Sequence, residues 1–200
     1  DDTTRRAGAR LVCLASFQHA KAEKLADQLM RADAAMRQGA AQVYARNLEY
    51  EDTEDVCRKH LLQLMNDPNE EVRSHVGHCF IHLHAEHLDR MRSFVEEFLA
   101  SPALTDGAEH LVEYLAPLAA DVPDLALDVT ERILDVKGRE VTDMRKAAFI
   151  LERDLVKLPL TVYTHTSDLG KQSRAMDLFE HLLRQGSRSA HQALEDWDRR

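Results

Sequence analysis

The chain has 200 residues, of which 26 are basic and 35 acidic, so its formal net charge at pH 7 is −9. This acidic balance argues against a general nucleic-acid surface, which needs clustered positive charge. No window is long and apolar enough to span a bilayer, so the sequence predicts neither a nucleic-acid nor a membrane partner. Cys13, Cys57 and Cys79 fall on helical stripes and are typical of reduced thiols, which favours a cytoplasmic location.

Apolar side chains recur at helical spacing along almost the whole chain, and no segment alternates as a strand does. A first helix is predicted over residues 3–17, followed by helix pairs over residues 21–48, 54–84, 90–118 and 124–158. One of these helices carries the apolar stripe Val72, Val76, Cys79, Phe80 and Leu83. The same stripe returns in phase at spacings of 32 to 40 residues. Equivalent helices at such a spacing are typical of a two-helix solenoid.

The turn between two of these helices indicates the type of repeat. Within it, Asp67 is expected to cap the helix that follows. The run Leu61–Pro68, with Arg73 shortly after it, resembles a HEAT repeat. The resemblance implies that Asp67 and Arg73 belong to a ladder of polar side chains along the stack. The arginine position of this ladder is matched by Arg37, Arg73 and Arg145. Thr105 occupies the position in the repeat between Arg73 and Arg145, so the ladder is expected to break there.

The end of the chain differs from the repeats. Pro159 is expected to interrupt a helix, and the threonine-rich residues 161–168 are expected to form a connector. Ser167 or Asp168 is expected to cap the next helix, and a last short helix carries Trp197. A terminal helix with one apolar stripe is what closes the exposed end of a solenoid.

These patterns together predict an all-α fold. We expect an α-α superhelix, a HEAT-like solenoid of about five helix pairs with a C-terminal capping helix, in a single domain over residues 1–200. The first helix carries Arg6 at the arginine position, although in later repeats that position lies on the second helix of a pair. We therefore expect the chain to be the C-terminal part of a longer protein.

The C-terminal block carries a second resemblance. Leu155–Tyr163, Asp168–Glu180, Leu183–Gly186 and Ala193–Asp198 are similar to the closing segments of large bacterial STAND-type NTPases, which include antiviral defence proteins. The resemblance implies a non-catalytic sensor or regulatory tail that binds a protein partner or another domain of its parent chain. It implies no cofactor in this segment, and it allows oligomers to form through the parent.

Three histidines are spaced to share one helix face. His75, His78 and His82 fall within about 60° of one another on a helix, so their imidazoles could meet one metal ion. The face carries no carboxylate to orient the rings, which favours a polar, pH-responsive flank over a metal site. Two alternatives to a protein-binding tail are a structural oligomerisation scaffold and a metalloenzyme built on these three histidines.

Overall fold

The computed structural model describes residues 1–138 and 149–199, and every regular element within these ranges is a helix. The predicted all-α fold class is therefore confirmed. None of the helices in the described ranges is long and apolar enough to cross a membrane. The contacts of the chain divide it into two compact units, Asp1–His110 and Leu111–Arg200. The expectation of a single domain stays a prediction, and each unit is described by itself.

The first unit is built from short helices that pack against one another. In chain order they are α1 (Asp2–Ser16), α2 (Ala20–Leu29), α3 (Ala34–Asn47), α4 (Glu54–Leu64), α5 (Glu70–Gly77), α6 (Cys79–His82), α7 (Leu88–Ala100) and the start of α8 (Ala103–Leu115). A single 3₁₀ turn, Ala85–His87, precedes α7. These bounds lie close to the predicted helix pairs, except that the predicted helix ending at residue 84 is interrupted at His78.

Helix α3 lies at the centre of the first unit, where it packs against α1, α2, α4, α5 and α6. Its Tyr44 is fully buried and stacks on the imidazole of His60 from α4, with ring centroids 4.6 Å apart. Farther along the unit, Phe80 packs edge-on against Phe98 at 5.0 Å. Burying a side chain of this size contributes roughly 1.5–3 kcal/mol, so each helix is stabilised mainly by its neighbours rather than by its own hydrogen bonds.

The helix starts have identifiable caps. Asp33 accepts a hydrogen bond from the Met36 amide and begins α3. Asn69 accepts from the Val72 amide and begins α5, so the cap is Asn69 and not the expected Asp67. The Asp67 carboxylate instead accepts from the Asn69 amide at 2.9 Å, which fixes the turn just before the helix.

Glycines allow close approach where the helices of successive repeats cross. A Cβ atom on Gly39 would lie 2.5 Å from the carbonyl oxygen of Arg6 on α1. A Cβ atom on Gly77 would lie 2.7 Å from the carbonyl oxygen of Gly107, where α8 is kinked. Both neighbours are backbone atoms and cannot rotate away. The absence of a side chain is therefore a packing requirement at these crossings.

The second unit contains the end of α8 and four further helices. They are α9 (Pro123–Lys137), α10 (Phe149–His165), α11 (Leu169–Arg184) and α12 (Arg188–Asp198). A 3₁₀ turn, Ala116–Leu118, follows α8. Helix α10 packs against α9, α11 and α12. The buried side chains at this centre include Leu155, Leu158 and Val162 of α10 and Leu182 of α11.

Pro159 does not interrupt α10, contrary to the expectation from sequence. The helix continues through it to His165, so the connector before α11 is much shorter than residues 161–168. A proline inside a helix costs about 3 kcal/mol. Burial of Leu155, Leu158 and Val162 on either side of it offsets that cost at roughly 1.5–3 kcal/mol each.

The last two helices are capped as short terminal helices need to be. Asp168 accepts hydrogen bonds from the amides of Gly170 and Lys171, as one of the two expected caps. Ser187 begins α12 and donates its hydroxyl proton to the buried carboxylate of Glu152 at 2.6 Å. The Ser189 amide donates to the same carboxylate oxygen at 3.1 Å. Glu152 thus fixes the start of α12 on α10.

Alanine substitutions at glycines test the crossings. Gly39→Ala and Gly77→Ala should each lower the free energy of unfolding by about 1–3 kcal/mol, because the new methyl group collides with backbone. Chemical denaturation of each variant measures the change. Gly8→Ala is the matched control: it lies within α1 with nothing within 4 Å of the added Cβ, and it should raise stability by about 0.5–1 kcal/mol. Equal effects at the three positions would contradict the packing requirement.

Candidate protein-binding cleft and histidine groups

The ladder arginine Arg37 joins two successive turns of the first unit. Its Nε donates to Oδ2 of Asp67 at 2.5 Å and its Nη2 donates to Oδ1 at 3.0 Å. Its Nη1 donates to the carbonyl oxygen of Ala32, in the turn just before α3. The two charged side chains are 15% and 5% exposed, so the pair is largely shielded from solvent.

Arg73 repeats this arrangement one repeat later. Its Nη1 donates to the carbonyl oxygen of Asp67 at 2.6 Å, and its Nε lies 2.6 Å from Oδ2 of Asp106 on α8. Thr105 lacks the guanidinium of the arginine position, but its neighbour Asp106 supplies the carboxylate to which Arg73 donates. Arg145, the remaining predicted ladder arginine, lies outside the described residues.

A cleft of about 550 Å³ opens in the first unit. It is lined by side chains of α1, α3, α6 and the segments that follow α3 and α5: Arg10, Leu14, Gln42, Val43, Arg46, Asn47, Tyr50, His78 and His82. We call it the Arg10–His82 cleft. Two guanidinium groups line it, and within the described part of the chain none of its lining side chains is a carboxylate.

The side chains of the cleft leave apolar and polar groups open to a partner. Leu14 is 48% exposed and Tyr50 is 56% exposed, although both are large. The amide side chains of Gln42 and Asn47 also line the cleft, and Asn47 donates from Nδ2 to the carbonyl oxygen of Val43 at 2.7 Å. An amide side chain has both donor and acceptor groups for a peptide backbone. A cleft with cationic, aromatic and amide groups can bind a segment that carries carboxylates and apolar side chains.

The histidines singled out in the sequence do not share one continuous helix. Regular helix stops at Gly77 and resumes at Cys79, with His78 between. The His75 and His78 rings lie 4.9 Å apart, and the His78 ring packs edge-on against His110 at 4.7 Å. The exposed His82 joins His78 in lining the Arg10–His82 cleft. His75, His78 and His82 are not a set whose ligand atoms converge.

The His78 imidazole is the most perturbed of this group. Burial, followed by the positive charge that His110, His75 and His82 carry when protonated, lowers the pKa of His78 to about 4. Its ring is therefore neutral at pH 7. The cleft owes its positive charge at that pH to Arg10 and Arg46 rather than to His78.

A different set of side chains brings its ligand atoms together. The ligand atoms of Glu49, His84 and His87 lie within 4.8 Å of one another, and this is the one group of three or more such residues found in the described part of the chain. His84 Nδ1 lies 2.5 Å from Oε2 of Glu49. This carboxylate raises the pKa of His84, first through the hydrogen bond and then through its charge.

The second unit has a groove of its own, between α10 and α12. Two adjoining clefts of about 740 and 490 Å³ share Lys157, Leu160, Ala193 and Asp196. Trp197 lines the larger one and is 45% exposed, although it contacts Tyr163. Lys157 is paired with Asp154 at 2.6 Å. Asp196 places a carboxylate in both clefts of this groove, whereas none of the described lining residues of the Arg10–His82 cleft carries one.

Sequence reasoning missed Glu49 because the group forms between residues one repeat apart. Glu49 precedes His84 by 35 residues, a separation within the range of the helical repeat. Pairing histidines with carboxylates at the repeat spacing, rather than along one helix, is the signal that could have found it.

The chain matches no protein-family model, no curated protein and no solved structure.

The ladder can be tested against an exposed ion pair of the same unit. Asp67→Ala should lower the free energy of unfolding by about 3 kcal/mol, because it leaves the shielded Arg37 guanidinium without its carboxylate. Lys59→Ala removes an ion pair whose side chains are 52% and 47% exposed, and it should cost less than about 1 kcal/mol. Equilibrium denaturation in urea provides both values. Similar losses for the two variants would show that the ladder pair is no stronger than a surface pair.

The lowered pKa of His78 predicts a pH dependence of stability. Between an unfolded pKa near 6.5 and a folded pKa of about 4, the unfolded chain binds a proton at this position and the folded chain does not. The free energy of unfolding should therefore fall as pH falls through this window and level off below it. In the His78→Gln variant, the free energy of unfolding should fall by less over the same pH range.

Denaturation curves at a series of pH values from 7 to 4 measure this difference. Buried His60, whose pKa is also lowered by burial, is present in both proteins and cancels in the comparison. The exposed His19, changed to glutamine, serves as the control and should follow the wild-type profile. A His78→Gln profile parallel to that of the wild type would mean that His78 is not held neutral.

Proposed function

We propose that this chain is a non-catalytic, protein-binding helical-repeat module, and that the Arg10–His82 cleft binds an acidic segment of its partner. The single observation that carries the proposal is the charge of this cleft. The chain has a net charge of −9, yet Arg10 and Arg46 line the cleft without a carboxylate among its described lining residues. A cationic site selects an anionic partner segment over a cationic one.

The apolar groups of the cleft support a polypeptide as the partner. Leu14 and Tyr50 are about half exposed and would lose that exposure beneath a bound segment. Tyrosine and arginine are among the residues that carry the largest share of binding energy at protein interfaces. A segment with alternating carboxylate and apolar side chains meets both the guanidinium groups and this apolar surface.

The wider role that we propose is that of a sensor or regulatory tail. The resemblance of Leu155–Tyr163 and Asp168–Glu180 to the closing segments of bacterial STAND-type NTPases supports it. In such a parent the module would act in the cytoplasm, and the three buried free thiols support a reducing compartment. An NTP-binding motif in the sequence preceding Asp1 in the parent gene supports this role, and a parent without one counts against it.

Peptide binding tests the cleft. A fluorescein-labelled peptide of alternating glutamate and leucine should bind the chain, and a lysine–leucine peptide of equal length should not. Fluorescence anisotropy gives both affinities. The double variant Arg10→Glu/Arg46→Glu should bind the acidic peptide at least tenfold more weakly, because both cationic contacts become repulsive. The affinity of the wild type should also fall as salt is added.

The control keeps the change in net charge the same. Arg31→Glu/Arg92→Glu reverses two exposed arginines of the first unit that do not line the cleft, and it should bind nearly as well as the wild type. Equal weakening in the two double variants would show that binding depends on overall charge, and it would contradict the assignment of binding to the cleft.

Light scattering at several protein concentrations tests the alternative role, an oligomerisation scaffold. Only that role requires the mass to grow with concentration.

A further inference from the structure

Two connections of the first unit meet at a group of metal-ligating side chains. Glu49 lies between α3 and α4, whereas His84 and His87 lie between α6 and α7. The ligand atoms of the three side chains are within 4.8 Å of one another, and the rings of His84 and His87 are 6.3 Å apart and nearly perpendicular. One carboxylate and two imidazoles from two separate connections therefore face a common point.

Hydrogen bonds hold both the side chain and the backbone of Glu49 in place. Glu49 is only 8% exposed, and its Oε2 accepts a hydrogen bond from the backbone amide of His84 at 3.3 Å. The backbone carbonyl oxygen of Glu49 accepts a hydrogen bond from Nη2 of Arg90, on α7. A buried and anchored carboxylate keeps its direction without further ordering when a cation arrives, which lowers the entropic cost of binding.

The charges around the group favour a cation. The guanidinium of Arg90, which donates to the carbonyl oxygen of Glu49, pairs with Glu51 at 3.3 Å and with Glu54 at 3.2 Å. Glu86 lies next to His87, with Oε1 3.7 Å from Nε2. Together with Glu49, these carboxylates outnumber the one guanidinium by three, so the local field attracts a positive ion.

We propose that Glu49, His84 and His87 bind one divalent transition-metal ion, with Zn²⁺ as the best match. Two imidazole nitrogens and a carboxylate oxygen are a ligand set that Zn²⁺ accepts at about 2.0–2.2 Å, with a fourth position left for water. The ligands come from connections about one repeat apart. The ion would therefore tie the α3–α4 connection to the α6–α7 connection.

Ion binding needs one local change, and the exposure of His84 permits it. Nδ1 of His84 and Oε2 of Glu49 are 2.5 Å apart, which is a hydrogen bond. On one tetrahedral ion the same two atoms stand roughly 3.4 Å apart at these bond lengths. The His84 side chain is 70% exposed, so its ring can turn outward by the difference. The proton of that hydrogen bond is released to solvent, so binding weakens at low pH.

Calorimetric titration of Zn²⁺ into the full, chelator-treated chain tests the proposal. We expect one ion per chain and a higher melting temperature in its presence, because the ion binds the folded state. His84→Gln should weaken binding at least tenfold, and this exposed position is safe for folding. His87→Gln should do the same, and circular dichroism checks that both variants are folded.

The control variants are His75→Gln and His82→Gln, which remove imidazoles of the same segment that do not belong to this group. Both should bind Zn²⁺ with the affinity of the wild type. Binding that persists unchanged in His84→Gln and His87→Gln, or that is lost in the controls instead, would overturn the assignment. No binding by the folded wild-type chain would overturn it as well. The measured quantity is the affinity for Zn²⁺, so the outcome does not depend on whether the Arg10–His82 cleft binds a partner.

Discussion

The first unit depends on arginines that each hold two turns at once. Arg37 donates to the carbonyl oxygen of its own turn at Ala32 and to the carboxylate of the next turn at Asp67. Arg73 does the same with the carbonyl oxygen of Asp67 and the carboxylate of Asp106. A guanidinium has five donors in one plane, so it can serve both acceptors without leaving a buried donor unpaired. Lysine has the charge but not this fork, and it could not satisfy two turns in the same way.

The helices of the first unit also approach one another closely. Helix α3 lies against the backbone of α1 at Gly39, and α5 lies against the backbone of α8 at Gly77. Gly39 and Gly77 permit it because any Cβ atom would collide with backbone. A second polar series crosses the same helices, since Arg6 donates to Gln38 and Gln38 donates to Glu71 at 2.6 Å. The first unit therefore combines polar contacts at the turns with glycines where the helices cross.

Much of the fold could be predicted from local sequence, because helix stripes and turn residues are local signals. Asp168 was an expected cap, and the predicted helix bounds lie close to those observed. Pro159 does not break α10, because its local cost is offset by burial of neighbouring residues, which only the packed structure reveals. Asn69 caps α5 rather than Asp67, since Asp67 is committed to Arg37 from another repeat. Both errors arise where tertiary packing or a tertiary contact decides the local structure.

The metal-ligating residues could not be predicted from local sequence either. His75, His78 and His82 suggest a ligand set because they share one stretch of sequence. Glu49 and His84 instead meet across two connections that are far apart in the sequence.

The two candidate sites also use neighbouring residues of the same two connections. Asn47 and Tyr50 line the Arg10–His82 cleft, while Glu49 between them turns toward His84. His82 faces the cleft two residues before His84. An ion that held Glu49 to His84 would fix the backbone that carries Tyr50 and His82. The cleft would then lose conformational freedom before a partner arrives, and a partner that binds a rigid cleft loses less entropy on association.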